Sequence, residues 1–207
     1  MDARLLSLAA AVVLAGMPLI ADSADAPASA NLCTHCHGQS GPSPHPDVPT
    51  IHGLPEIVID IALYDFRGGV RPCRPPACAE AGKCPAQSMC DVAKPLLEED
   101  VEALARWYGA QPFVPAADSF DPALAAQGRV LHDEQCEICH SAGGTDPQDE
   151  ASILRGQRME YLQAALEDFR EQRRMAVEPM DRKIRALTPQ QLEALVHFYA
   201  SPVEGGG

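Results

Sequence analysis

The sequence predicts an all-α protein built from two similar helical domains in tandem. Apolar residues recur at helical spacing in several stretches, for example from Glu160 to Arg170, and no alternating strand pattern of useful length occurs. The pattern Cys-x-x-Cys-His occurs twice, and other residues repeat at a constant distance behind it. An internal repeat within 207 residues predicts two copies of one small fold rather than a single large core.

The N-terminus is typical of a secretory signal peptide. Arg4 is followed by an apolar stretch from Leu5 to Ile20 and then by small residues. We expect a signal peptide over residues 1–24, cleaved somewhere within 21–30, and a periplasmic protein without a membrane span in the mature chain. An uncleaved anchor is the alternative, although the stretch is short for a span and contains Pro18.

The repeated motif covers Cys33–His37 and Cys136–His140. It is the attachment signature of a c-type haem, in which two thiols about one helical turn apart bond to one haem and the adjacent histidine binds its iron. We therefore predict two covalently bound haem c groups. Their attachment residues would be Cys33, Cys36, Cys136 and Cys139, with His37 and His140 as iron ligands. Zinc knuckles or redox dithiols remain alternatives for the same spacing.

The internal repeat changes its offset part-way along the chain. Cys33 and Cys136 are 103 positions apart, as are the stretches Leu63–Arg67 and Leu166–Arg170. Further on, Trp107 lies 91 positions before Phe198. The first half therefore carries 12 extra residues between Arg67 and Glu102.

This offset change places an insert in the first domain. We predict cytochrome c domain 1 over 31–111 with a cysteine-rich insert at about 71–90, a linker over 112–118, and cytochrome c domain 2 over 119–203. The helices are expected at about 28–37, 54–67, 97–109, 121–139, 157–173 and 189–200. Thr188, Pro189 and Gln191 predict the start of the last helix, as N-cap, first helical residue and capping-box partner.

The repeat also indicates the sixth iron ligands, since methionine in that position favours electron transfer. Met89 and Met180 are the methionine pair that the 91-residue offset relates, and each lies seven residues before a leucine. Met159 and Met175 have no counterpart in the first half. We predict Met89 and Met180 as the axial partners of His37 and His140.

Four cysteines lie outside the haem motifs, and all four fall in the insert: Cys73, Cys78, Cys84 and Cys90. In an oxidising compartment they predict two disulfides, with three pairings open. A soft-metal site built from the same thiolates is the alternative.

Other polar residues receive structural roles. His35, His45, His52, His132 and His197 belong to no motif, and we expect them at the surface or hydrogen-bonded in the core. Asp168 and Arg170 repeat Asp65 and Arg67 and are expected in ion pairs rather than in catalysis. No catalytic residue set is recognisable.

The formal net charge of −13 excludes nucleic acid as a natural partner and fits a basic protein partner.

The order of motifs in the second half resembles a known family. Ser119–Leu124, Leu131–Asp133, the haem motif, Asp168–Glu171, Met180 and Phe198–Ser201 together resemble the dihaem cytochrome subunit of flavocytochrome c sulfide dehydrogenase. The similarity is close over about 119–201 and loose over 31–112, and the cysteine-rich insert departs from the family.

This resemblance implies a periplasmic electron-transfer subunit without catalysis of its own. Its partner would be an FAD-containing flavoprotein, with FAD in that partner alone, joined to it as a heterodimer. Sulfide would reduce the flavin, and the cytochrome would pass the electrons to an acceptor such as a soluble cytochrome c. The resemblance implies the same axial pairs as the repeat.

Two alternatives stay open. The first is a freestanding dihaem electron carrier that feeds a terminal oxidase. The second is a dihaem enzyme that oxidises a sulfur compound, which needs an open iron position, for example with Cys90 in place of Met89.

Overall fold

The computed structural model describes residues 25–85 and 87–203, so the predicted signal peptide over 1–24 lies outside the described residues. Within these ranges the chain forms helices and contains no strand, which confirms the all-α prediction. The α-helices are α1 (Asn31–His37), α2 (Glu56–Arg67), α3 (Ala77–Glu80), α4 (Met89–Ala93), α5 (Glu98–Gly109), α6 (Pro122–Gln135), α7 (Ser141–Gly144), α8 (Met159–Arg170), α9 (Met180–Ala186) and α10 (Pro189–Ala200). Short 3-10 turns precede α1 and follow α7, at Ala28–Ala30 and Pro147–Asp149.

The long helices lie where the periodicity predicts them, and their ends follow local chemistry. Thr188 caps α10 by accepting a hydrogen bond from the Gln191 amide at 3.2 Å, while the Gln191 side chain accepts one from the Thr188 amide at 2.9 Å. This capping box is the predicted one. Asp121 caps α6 by accepting from two amides of its first turn.

The prediction of a helix over 121–139 was wrong at its C-terminal end, because α6 stops at Gln135. The Glu137 carboxylate accepts hydrogen bonds from the amides of Ala142 and Gly143, at 2.9 and 3.2 Å. Those contacts stabilise a turn through the second haem motif. In the first half the motif lies inside α1 instead. The helix predicted over 157–173 is likewise shorter, and the short helices α3, α4, α7 and α9 were not predicted.

The two halves are built alike. In the first half α5 packs against α2, and in the second half α10 packs against α8, its equivalent pair. The helices α4 and α9 pack on α2 and α8 respectively, so the same three-helix arrangement occurs twice. The described chain thus consists of two tandem helical domains of the same architecture.

In the second domain the long helix α6 crosses α10. Gly128 lies at the crossing, where a Cβ atom would overlap the carbonyl oxygen of Ala194 and lie 2.8 Å from the Cβ of Phe198. The absence of a side chain at Gly128 therefore permits the close approach of the two helices.

The linker between the domains is held by a pair of equivalent glycines. Gly53 and Gly156 have φ angles of +76° and +86°, in the region that favours glycine. A Cβ at Gly53 would lie 2.7 Å from the Cα of Phe113, and one at Gly156 would lie 2.6 Å from the Cβ of Pro115. Each glycine thus receives one residue of the linker, which packs on both domains.

Buried polar contacts join the domains directly. The Gln157 side chain accepts a hydrogen bond from the Thr50 amide at 2.9 Å and donates one to the Thr50 carbonyl at 2.7 Å. Thr50 and Gln157 are 0% and 1% exposed, so this pair is shielded from water. From the insert, Arg74 donates hydrogen bonds to the Asp168 carboxylate of the second domain through the two terminal nitrogens of its guanidinium group. In the part of the chain described, no helix is both long and apolar enough to cross a membrane.

Candidate haem sites

The first candidate site is centred on His37 at the end of α1. Its side chain is 5% exposed, and its Nδ1 lies 2.8 Å from the carbonyl oxygen of Pro49. If Nδ1 carries the proton and donates it to that oxygen, Nε2 is left as the metal-binding nitrogen. Burial lowers the pKa of His37 to about 4, so the ring is neutral at pH 7, which is the form that binds iron.

A cavity of about 300 Å³ adjoins this histidine. Its walls are mostly apolar, from α2, α5 and the loop before α2. Cys33, Cys36, His37 and Met89 all line this cavity, although Met89 is more than 50 positions from the motif. Burial raises the pKa of Cys33 to about 11, so this thiol is neutral at pH 7. An apolar cavity bordered by two neutral or weakly acidic thiols, an imidazole and a thioether fits a haem.

The second candidate site repeats the histidine geometry. The Nδ1 of His140 lies 3.2 Å from the carbonyl oxygen of Ser152, which is the residue equivalent to Pro49 at the 103-residue offset. Burial lowers the pKa of His140 as well. Cys136 and Met180 pack against the apolar core of the second domain, while Cys139 is exposed. The donor types and the histidine orientation again fit a haem.

The methionines differ in their surroundings. Met89 and Met180 are the first residues of the equivalent helices α4 and α9, and both are partly buried. Met175 is 64% exposed, and Met159 lies in the first turn of α8 beside the core of the second domain.

The insert is closed by two disulfides. Cys73 is bonded to Cys90, and Cys78 to Cys84, with Cα–Cα distances of 5.6 and 5.5 Å. All four sulfurs are thereby engaged, which leaves none for a soft-metal site. Because Cys90 follows Met89, the first disulfide ties the start of α4 to the entry of the insert. A disulfide closing a loop of this size contributes roughly 2–4 kcal/mol.

Histidines outside the motifs have structural surroundings. His132 is fully buried between the Tyr199 hydroxyl, 2.9 Å from its Nδ1, and the Glu137 carboxylate, 2.7 Å from its Nε2. His52 is buried edge-on against Trp107 and Tyr108. His132 thus confirms the expectation of a hydrogen-bonded core residue.

Asp168 confirms the expected ion pairing. It is 6% exposed and binds both Arg74 and Arg173. Burial would raise the pKa of Asp168, but hydrogen bonds from the two arginines lower it below its usual range. Arg170 lies 3.6 Å from Glu171 in a partly exposed pair.

Sequence reasoning missed several residues that border the first cavity. Arg71, Tyr161 and Arg174 all line it, and two of them come from the second domain. The signal was available, since Arg71 and Arg174 are 103 positions apart, the same offset as the haem motifs. Because Arg71 and Arg174 keep the 103-residue offset and Met89 and Met180 have the 91-residue offset, the 12 extra residues of the first half lie between Arg71 and Met89.

No protein-family model matches the chain. The chain is 31% identical over 182 residues to cytochrome c4 of Stutzerimonas stutzeri, covering 83% of each protein. Its fold matches that of reduced recombinant cytochrome c4 from Pseudomonas stutzeri with a TM-score of 0.66 and 26% identity, over 85% of this chain and 97% of that one. It also matches thiosulfate dehydrogenase from Marichromatium purpuratum with a TM-score of 0.63 and 26% identity, over 83% of this chain but 36% of that one.

Proposed function

The chain belongs to the cytochrome c4 family, and from that premise we propose that it is a freestanding electron carrier of the periplasm. It is a dihaem cytochrome c with two covalently bound haem c groups, one in each tandem domain. Each haem supplies a one-electron redox couple. We propose that the carrier takes electrons from a donor protein and delivers them to an acceptor such as a terminal oxidase.

The proposed attachment residues are the four motif cysteines, and the proposed axial pairs are His37 with Met89 and His140 with Met180. Support for the first pair comes from the shared cavity, which both side chains line. Support for the second comes from the equivalent position of Met180 at the start of α9, together with its contact to the core. The high exposure of Met175 argues against it as a ligand.

The protein itself orients ligands and excludes water. The carbonyl oxygens of Pro49 and Ser152 hold the two histidine rings in equivalent orientations. A hydrogen bond donated by Nδ1–H makes the imidazole a stronger ligand for iron through Nε2 and fixes its tautomer. The apolar walls keep the redox centre out of water, which together with a methionine ligand favours a high reduction potential.

The observation that carries the proposal of a freestanding carrier is the extent of the match. The chain covers 83% of the cytochrome c4 from S. stutzeri and 97% of the solved cytochrome c4 chain. Both domains are therefore included. The negative formal charge of −13 favours a donor or acceptor with a basic docking surface.

A second candidate is the cytochrome subunit of a sulfide-oxidising flavocytochrome, with an FAD-containing flavoprotein as partner. The sequence similarity over 119–201 favours it. The fold match to part of a longer thiosulfate dehydrogenase chain supports only the more general idea of association with an enzyme. The third candidate, a dihaem enzyme with Cys90 as iron ligand, is disfavoured because Cys90 is bonded to Cys73.

Purification from the native source under mild conditions distinguishes the first two candidates. We expect the purified protein to contain two haems and no flavin. After chemical reduction, it should be reoxidised by oxidase-containing membranes of the same cells. The rate of reoxidation should fall as the salt concentration rises, because acidic and basic docking surfaces attract each other less at high ionic strength. One flavin per two haems in the purified protein, reducible by sulfide, would establish the flavocytochrome instead.

A further inference from the structure

Two equivalent arginines meet at the domain boundary. Arg71 follows α2, and its guanidinium carbon lies 4.5 Å from the ring centre of Phe66. Arg174 follows α8, and its guanidinium carbon lies 4.3 Å from the ring centre of Phe169. The backbone repeats too, because the amides of Arg71 and Arg174 donate to the carbonyls of Asp65 and Asp168 respectively. Each domain thus positions one arginine by equivalent means, namely the C-terminal end of a helix and a phenylalanine ring.

Tyr161 joins the two arginines. Arg71 donates a hydrogen bond to its hydroxyl oxygen at 3.1 Å, and Arg174 interacts with the same phenol. Burial would raise the pKa of Tyr161, but the charges of Arg71 and Arg174 outweigh that effect and lower it. Burial and then the like charge of Arg71 lower the pKa of Arg174. Two guanidinium groups are therefore close enough to repel each other in a partly buried place.

Nearby carboxylates balance this charge poorly. Asp168 lies at the same boundary, but Arg74 and Arg173 occupy its oxygens. Asp65 acts on Arg174 only through its charge. Cations that crowd together away from water normally have an anionic partner, because an uncompensated buried charge is costly. This excess of positive charge favours binding of a further anion beside Arg71 and Arg174.

The cavity that these side chains line indicates which anion they bind. Arg71, Arg174 and Tyr161 line the same cavity as Cys33, Cys36 and His37. Arg71 and His37 border one continuous cavity, so the guanidinium group lies beside the first haem site. A haem bears two carboxylate groups, and guanidinium is the side chain best suited to bind carboxylate.

We propose that Arg71, Arg174 and Tyr161 form one carboxylate-binding site that receives haem propionates at the boundary between the domains. The inference rests on the two covalent haems and is independent of which protein donates the electrons. The site has a consequence for electron transfer. Positive charge beside a haem stabilises its reduced state, which carries one positive charge fewer, and so raises its potential. Arg174 thus lets the second domain adjust the potential of the first haem.

Neutralising either arginine tests this proposal in the dihaem protein. We expect Arg71→Gln and Arg174→Gln each to shift the midpoint potential of the first haem downward in a spectroelectrochemical titration. Arg106→Gln is the matched control, because Arg106 is exposed on α5 and does not line the cavity. It should leave both potentials unchanged. Haem content and circular dichroism of each variant establish that both domains are folded.

Charge-conserving variants separate an electrostatic role from a merely structural one. Arg71→Lys and Arg174→Lys should retain most of the wild-type potential, whereas a loss equal to that of the glutamine variants would overturn the proposal. Redox-induced infrared difference spectra, recorded with isotope-labelled propionates, provide a second readout. We expect the propionate carboxylate bands to shift in the lysine variants and in Tyr161→Phe. Unshifted bands, or glutamine variants that titrate like wild type, would also overturn it. If the glutamine variants lose haem, the infrared difference spectra of the lysine variants and of Tyr161→Phe test the proposal instead.

Discussion

Substitution of Met180 by alanine is expected to lower the potential of the second haem strongly and to abolish its methionine-to-iron charge-transfer absorption. The physical reason is the loss of the proposed thioether ligand, because a thioether stabilises the reduced iron relative to the oxidised iron. Axial ligands set haem potentials over a range of about 0.8 V, and we expect the change to span a sizeable part of it. A redox titration of the purified variant measures both the potential and the absorption band.

Met89→Ala should have the same effect on the first haem and leave the second unchanged. The matched control is Met175→Ala, because Met175 is 64% exposed and belongs to the loop before α9. That variant should titrate like wild type. Loss of the band in Met175→Ala with retention in Met180→Ala would mean that the equivalence of α4 and α9 does not extend to the ligands.

Substitution of Gly128 by alanine is expected to destabilise the second domain by at least about 3 kcal/mol, the upper end of the range for overpacked cores. Alanine is intrinsically favoured over glycine in a helix by about 1 kcal/mol, so propensity alone predicts the opposite sign. The new Cβ would overlap the backbone carbonyl of Ala194, however, and backbone cannot move aside as a flexible side chain can. Separation of α6 from α10 is therefore the expected response.

Denaturant unfolding followed by circular dichroism and haem absorption measures this effect. Gln127→Ala, at the neighbouring exposed position of α6, is the control and should change stability by less than about 0.5 kcal/mol. Equal stability of Gly128→Ala and Gln127→Ala would show that α6 and α10 approach each other less closely than in this structure.

Much of the fold could be predicted because the two halves of the sequence are repeats that can be compared with each other. Helix α10 was located to the residue, since Thr188, Pro189 and Gln191 carry a local capping signal. The offsets of 103 and 91 residues relate α2 to α8 and α5 to α10, and the structure has these helices in equivalent packing. Local chemistry and repetition were therefore sufficient for the order of the long helices.

Features that depend on distant contacts could not be predicted from one sequence. The end of α6 at Gln135 depends on Glu137, whose carboxylate binds both His132 and the amides after the motif. The pairing of the insert cysteines depends on the path of the loop, and three pairings satisfied the sequence equally well. The contact between Arg74 and Asp168 joins residues 94 positions apart, and no local pattern indicates it.

Residues of the candidate sites also differ in whether local sequence was sufficient to predict them. The two haem motifs are local, so residues such as His37 and His140 were identifiable from spacing alone. Prediction of Met89 and Met180 as sixth ligands required the repeat, because both residues are far from the motifs in sequence. Tyr161 could not be found by either route, since its equivalent in the first half is Val58. Its proximity to the first cavity arises only from the packing of one domain on the other.

The most direct test of this account is the mass of the intact purified protein, measured under denaturing conditions alongside a pyridine haemochrome assay. Covalent haem remains attached to an unfolded chain, whereas zinc and non-covalent haem dissociate. We predict a mass equal to the processed chain plus two haems, and a haemochrome value of two haem c per chain. A chain that carries a single haem, or a mass without haem together with bound zinc in the native protein, would contradict the account.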